Sequence, residues 1–93
     1  MFYVYLIVTK NTKNNLISYV GYTNDLKKRL NLHNNSKGAK FTKGRYWRLI
    51  YFKRYKTKIK ALKEEYTLKK DYKLRSIIKK KFLKNEDINT ITL

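Results

Sequence analysis

The chain has no cysteine, no proline, three glycines and only six acidic residues. Without cysteine there is no disulfide framework, no thiolate zinc site and no thiol nucleophile, so the fold must stand on its core alone. No stretch rich in proline or serine marks a linker, and 93 residues leave room for a single core. No uninterrupted apolar run approaches the ~20 residues of a membrane-spanning helix. The apolar start, Met1 to Val8, lacks the basic stretch of a secretory signal and alternates as a strand does. These features imply an intracellular protein: cytoplasmic in a bacterium, or in the nucleus or a viral factory if the source is eukaryotic or viral.

The scarcity of acids is set against 24 Lys and Arg, a formal net charge of +18. Nothing acidic lies between Asp25 and Glu64, while lysines and arginines recur throughout that interval. Such a field attracts polyphosphate backbones at almost any orientation. A lysine-biased composition with a merely solvated surface is the bland alternative. A membrane surface fits less well, because no segment pairs this charge with a broad apolar face. Apolar residues make up 42% of the chain and aromatics 15%, ample for a compact fold despite the charge.

Residues 2–9 are rich in β-branched and aromatic residues and read as a strand. Residues 10–15 form a polar turn, and residues 16–22 read as the second strand of a hairpin. Gly21 near its end suggests a bulge or a close approach of backbone. Thr23, Asn24 and Asp25 are N-cap types, predicting a helix from about there to about Asn34. Residues 35–44 form a basic loop holding the other two glycines. A third strand is predicted over 45–55, a second helix from a Thr57 cap to about Asp71, and a third marked by Leu74, Ile77, Ile78 and Phe82. The tail 85–93 is polar. The expectation is one α/β (α+β) domain over 1–84: a small three-stranded antiparallel sheet flanked by helices, in the order β-β-α-β-α-α.

Few residues have the chemistry for a reaction. On the first helix Leu26 and Leu30 mark a buried stripe, with Arg29 and His33 on one face at its margin. Either these two face a polar partner or they reach outward to solvent. Arg29 suits the non-bridging oxygens of a phosphodiester. His33, the only histidine, cannot build a multi-histidine zinc site. On the second helix the expected buried side is Ile59, Leu62 and Tyr66, with Ala61 and Leu68 beside them. That wheel turns Glu65 toward the interior and Glu64 toward solvent. A carboxylate there needs a counter-charge, either a lysine or a divalent cation completed by water and phosphate oxygens. Tyr5 and Tyr19 lie on adjacent strands, and direct pairing across the hairpin would bring their hydroxyls together. A phenol, with a reference pKa of about 10, needs cations nearby to act as a base.

Tyr3-Val4-Tyr5 and Tyr19-Val20-Gly21, followed by the run Tyr22 to Leu30 with Arg29 in it, resemble the signature of a GIY-YIG nuclease domain. His33-Asn34, then Gly38-Ala39-Lys40-Phe41-Thr42, and later Ala61 to Tyr66, continue the likeness, which covers residues 2–83. The chain is most similar to the small stand-alone single-domain subfamily related to the catalytic domain of structure-specific Holliday-junction endonucleases. It differs in having Tyr3 for glycine, a longer turn between the two triplets, and Tyr22 where some relatives carry a catalytic lysine. The resemblance implies a divalent-metal-dependent endonuclease using Mg²⁺ or Mn²⁺ and leaving 5′-phosphate and 3′-hydroxyl ends. By the same likeness Tyr5 and Tyr19 position or deprotonate the attacking water, Arg29 stabilises the phosphoryl transition state, His33 helps proton transfer, and Glu65 holds the metal.

On this reading the partner is DNA, single-stranded or branched, in repair or recombination, with a protein partner possible for targeting. Lys37, Lys40, Lys43, Arg45 and Arg48 are expected to grip the backbone, and Trp47, Phe41 or Tyr46 to stack on unpaired bases. The rival readings are a non-catalytic basic module or repair-complex partner, and an RNA-binding accessory protein.

Overall fold

The computed structural model describes residues 1–84; the expected polar tail 85–93 lies outside the described residues. Three strands form one antiparallel sheet: β1 (Phe2–Lys10), β2 (Leu16–Thr23) and β3 (Arg48–Tyr55), in the spatial order β2-β1-β3. The helices are α1 (Leu26–Asn34), α2 (Lys58–Lys70) and α3 (Tyr72–Lys84), with a short 3-10 turn at Lys40–Thr42. The element order is the β-β-α-β-α-α expected from sequence.

The central strand explains the two-sided core. Val4 to Val8 are all buried, so β1 is covered on both faces. Successive side chains of a strand point to opposite faces. Val4 and Leu6 therefore meet Val20, Ala61 and Leu68 beneath α2, with Ile78 of α3 packed alongside. Tyr5 and Ile7 meet Leu26, Trp47 and Leu49 beneath α1. Strict alternation would place Leu49 and Tyr51 on the same face, yet Leu49 lies with the second cluster and Tyr51 with the first. A register shift between Leu6 and Ile7 in the β1–β3 ladder resolves this, because one extra residue flips the side chains that precede it.

Three local expectations change. The strand predicted from Arg45 begins at Arg48, because the N–H and C=O of Trp47 bond to the side chain of Asn34 instead of the sheet. On α2 the buried positions are Ala61 and Leu68, whereas Ile59, Leu62 and Tyr66 are exposed. Ala61 is wholly buried, and its small side chain lets the helix sit close on Val4, Leu6 and Val20. On α3, Ile78 packs inward and Phe82 is buried, but Leu74 and Ile77 are exposed. Both predicted caps are in place: Asp25 accepts from the Lys28 N–H, and Thr57 from the Lys60 N–H.

Candidate active site

The site lies on the α1 side of the sheet. Tyr5 and Tyr19 do not face each other across the hairpin; Tyr5 is opposite Gly21, and Tyr19 is opposite Ile7. They are diagonal neighbours on one face, within reach of a common group. That group is His33. The Tyr5 hydroxyl lies 2.7 Å from His33 Nε2, and the Tyr19 and His33 rings meet edge-on at 5.2 Å. Gly21 makes the arrangement possible, because a Cβ there would fall on the Tyr5 hydroxyl. Gly38 likewise lies against the His33 ring, where a Cβ would crowd Nδ1.

His33 is fully buried, not marginal as the helix wheel suggested. Its second nitrogen, Nδ1, lies 2.8 Å from the Thr42 hydroxyl, and that hydroxyl donates to the Ala39 carbonyl at 2.8 Å. Assigning the single Thr42 hydroxyl proton to the Ala39 carbonyl makes Nδ1 the donor toward Thr42. Burial first, and then the charge of Arg29, lower the His33 pKa to about 4, so the ring is neutral at pH 7. A neutral ring protonated at Nδ1 offers a lone pair at Nε2, and Tyr5 donates to it. Arg29 Nε in turn donates to the Tyr5 oxygen at 3.3 Å. The result is one directed chain: Arg29 to Tyr5 to His33 to Thr42 to Ala39.

This chain fixes what each group can do. Burial pushes the Tyr5 hydroxyl up to about 12, against the lowering effect of the Arg29 hydrogen bond and charge. Tyr19 and Glu65 add smaller raising effects, which places both within electrostatic reach of the same oxygen. Nε of Arg29 is held by Tyr5, and among the described residues no side-chain hydrogen bond engages its outer nitrogens. Among the described residues no hydrogen bond holds the Tyr19 hydroxyl, and its side chain is half-buried.

Both carboxylates of α2 are half-buried, so Glu64 does not turn simply to solvent as the wheel predicts, and the apolar neighbours differ from those expected. The Glu65 side chain is 20% exposed and that of Glu64 34%. Glu64 pairs with Lys60 at 3.1 Å, and Glu65 more loosely with Lys69 at 3.6 Å. Among the described residues no group of three or more His, Asp or Glu side chains forms a metal cage. One carboxylate is nevertheless enough for a cation such as Mg²⁺, which keeps several waters and takes substrate phosphate oxygens as ligands. Glu65 projects from the helix on the opposite face of the sheet; it is paired with Lys69, and its charge reaches the Tyr5 hydroxyl.

The five cations predicted to grip a backbone do not form one cluster. Lys37 lines a groove along α1 with Lys27, Lys28 and Asn31. Arg48 lines a separate cleft with Tyr46, Val8 and Phe82. Lys40, Lys43 and Arg45 flank the 3-10 turn between them. Trp47 is 1% exposed and donates its indole N–H to the Thr42 carbonyl, so it has no face for a base. Thr42 and Asn34, which bond to His33 and to the Trp47 backbone, are not among the expected site residues. The Gly38 to Thr42 run was visible in the sequence as a motif, but nothing in it showed that a threonine would be buried under the histidine.

A family model described as the GIY-YIG catalytic domain matches residues 1–81. A UPF0213 protein of Clostridium perfringens is 40% identical over 91 residues, covering 94% of this chain and 92% of its own length. The UPF0213 protein YazA of Bacillus subtilis is 51% identical over 53 residues, covering 56% of this chain and 54% of its own. No solved structure gives a significant match. The match spans both tyrosine triplets, α1 and α2, and the chain belongs to the GIY-YIG nuclease family.

Proposed function

We propose that the protein is a metal-dependent DNA endonuclease whose site comprises Tyr5, Tyr19, Arg29, His33 and Glu65. The observation that carries this reading is the directed hydrogen-bond chain from Arg29 through Tyr5 to His33. It supplies a phosphate-binding cation, a phenol and a proton acceptor in series. Arg29 binds the non-bridging oxygens of the scissile phosphate and offsets the charge that develops there. Tyr19 orients the attacking water. Tyr5 takes a proton from that water while passing its own to His33 Nε2. The phosphate anion offsets Arg29, one of the two causes that make Nε2 a weak base. The phosphorus–3′-oxygen bond breaks, the 3′-oxygen is protonated from solvent, and the new bond leaves a 5′-phosphate. Glu65 would hold a Mg²⁺ or Mn²⁺ ion, which would supply charge neutralisation at the phosphate and the leaving oxygen.

The basic groove beside α1 and the loop with Lys37, Lys40, Lys43 and Arg45 would hold the backbone, with Arg48 reaching a more distant stretch. Repair or recombination, on single-stranded or branched DNA, suits such a sequence-blind grip. The matched relatives are bacterial, and a bacterial DNA endonuclease would act in the cytoplasm. Cleavage of labelled single-stranded, duplex and four-way-branched DNA with Mg²⁺, Mn²⁺ or chelator tests the reading. Glu65→Gln abolishes metal-dependent cutting while preserving binding, and Glu64→Gln retains most activity. Full activity in Glu65→Gln would sink the metal assignment. Tight binding without cutting by the wild type on every substrate would favour the non-catalytic module.

A further inference from the structure

Phe41 differs from the other aromatic residues around the site. The residue is 51% exposed, yet its ring is firmly placed. It stacks on Tyr19 at 6.2 Å with 19° between planes, and meets Trp47 at 6.1 Å. Tyr19 in turn touches His33 at 5.2 Å. Phe41 is thus the outer member of a ladder of rings that begins at the buried histidine. The 3-10 turn holds it there, because the next residue, Thr42, is buried and hydrogen-bonded to both His33 and Ala39. The exposed guanidinium of Arg45 lies over the ring, 5.6 Å from its centre.

An exposed ring flanked by Lys40, Lys43 and Arg45 has one kind of occupant that satisfies both features. The cations attract a phosphodiester chain, and the ring offers a flat apolar face to a base carried on that chain. A protein partner would have to bury the ring and neutralise three cations, whereas a nucleotide strand brings an anion and a π-face together. Arg45 marks where the base would lie, since a guanidinium and a base stack on an aromatic face in the same way. Two ring-to-ring steps, of 6.2 Å and 5.2 Å between centres, separate this place from His33, so a base here would lie beside the reacting phosphate and not on it. A base paired inside a duplex has both faces covered by its neighbours and cannot use the platform.

We propose that Phe41 is a stacking platform for an unpaired base close to the scissile phosphate, with Arg45 yielding the ring face to that base. The inference rests on the nuclease reading for the position of the phosphate, and it turns that reading into a requirement for strand ends, gaps or branches.

The test measures binding in chelator, without cleavage, on two single strands of equal length: one with ordinary bases, the other with a run of base-free sugars. Wild-type protein should bind the base-bearing strand about 10-fold or more tightly than the base-free one. Phe41→Leu keeps a similar apolar volume without a π-face and should lose that preference, while Phe41→Trp keeps it. The salt dependence should stay unchanged in both, because the phosphate contacts are intact. Full discrimination in Phe41→Leu would overturn the proposal, as would an equal loss of affinity for both strands. These outcomes do not depend on turnover. Failure of the platform leaves the Glu65→Gln cleavage result standing, and a protein that never cuts can still show base-dependent binding at Phe41.

Discussion

At the scale of single residues, the least obvious dependence is on Thr42, whose one hydroxyl proton decides the tautomer of His33. Removing that hydroxyl leaves the Nδ1–H buried without an acceptor, at a cost of about 1–3 kcal/mol. It also frees the ring to carry its proton on Nε2, where it can no longer accept from Tyr5. Thr42→Val should therefore lower both the melting temperature and the cleavage rate, and Thr42→Ser should restore both. Nitrogen NMR of the His33 ring reads the tautomer directly; an unchanged Nδ1–H in Thr42→Val would remove Thr42 from this role. The same burial makes His33 a pH-dependent element. Its pKa is about 4 in the folded protein against an ordinary value near 6.5, so the unfolded chain binds the extra proton first. The associated stability is fully present above about pH 6.5 and is lost as pH falls toward 4, about 3 kcal/mol over the whole interval. Denaturant midpoints measured across that range should fall less steeply with acid in His33→Gln than in the wild type.

At the scale of elements, what the sequence made legible was whatever depends on near neighbours. The hairpin follows from alternation, and the starts of α1 and α2 follow from Asp25 and Thr57, whose side chains bond to amides three residues on. Gly21 was readable as a close approach, though not the ring that approaches it. What stayed hidden depends on distant partners. The inward side of α2 is set by the shape of the sheet beneath Ala61, so the more apolar Ile59 and Tyr66 end in solvent. The candidate site was legible as residue types at family spacing, but the joining of α1 to the 3-10 turn through His33 and Thr42 spans nine residues and has no local signature. The late start of β3 has the same origin. Asn34 at the end of α1 accepts from the Trp47 N–H at 2.6 Å and donates to its C=O at 3.1 Å. This clamp ties the helix that carries Arg29 and His33 to the edge of the sheet. Asn34→Ala should destabilise the fold by about 1–3 kcal/mol, with Trp47 fluorescence reporting the loosened packing. A domain of this size would lose roughly 4–8 °C in melting temperature for each kcal/mol. An unchanged melting temperature would mean that the clamp adds nothing to the helix's position.

At the scale of the whole molecule, the dominant quantity is the charge of +18, carried by 24 basic residues against six acidic ones. Glu64 and Glu65 are each engaged by a lysine on their own helix, so little negative charge faces outward from α2. The excess positive charge strengthens attraction to a polyanion at every orientation, but the proposed site needs it concentrated on one side. The groove with Lys27, Lys28 and Lys37 lies along α1, and Lys40 and Lys43 flank the turn that holds Thr42. The lysines of α3 belong to the other side of the sheet, where that helix packs with Val4 and Leu6. Salt titration of DNA binding in chelator separates the two sides, because the slope of log affinity against log salt changes by about 0.7–0.9 for each phosphate that is no longer neutralised. Replacing Lys37, Lys40 and Lys43 together by glutamine should reduce that slope by about 2–3 and weaken binding equally for unrelated sequences. The matched triple substitution on α3, at Lys73, Lys80 and Lys84, should leave the slope nearly unchanged. Equal reductions in the two variants would mean that the strand is held by charge spread over the entire surface, and the α1 side would lose its claim to be the binding face.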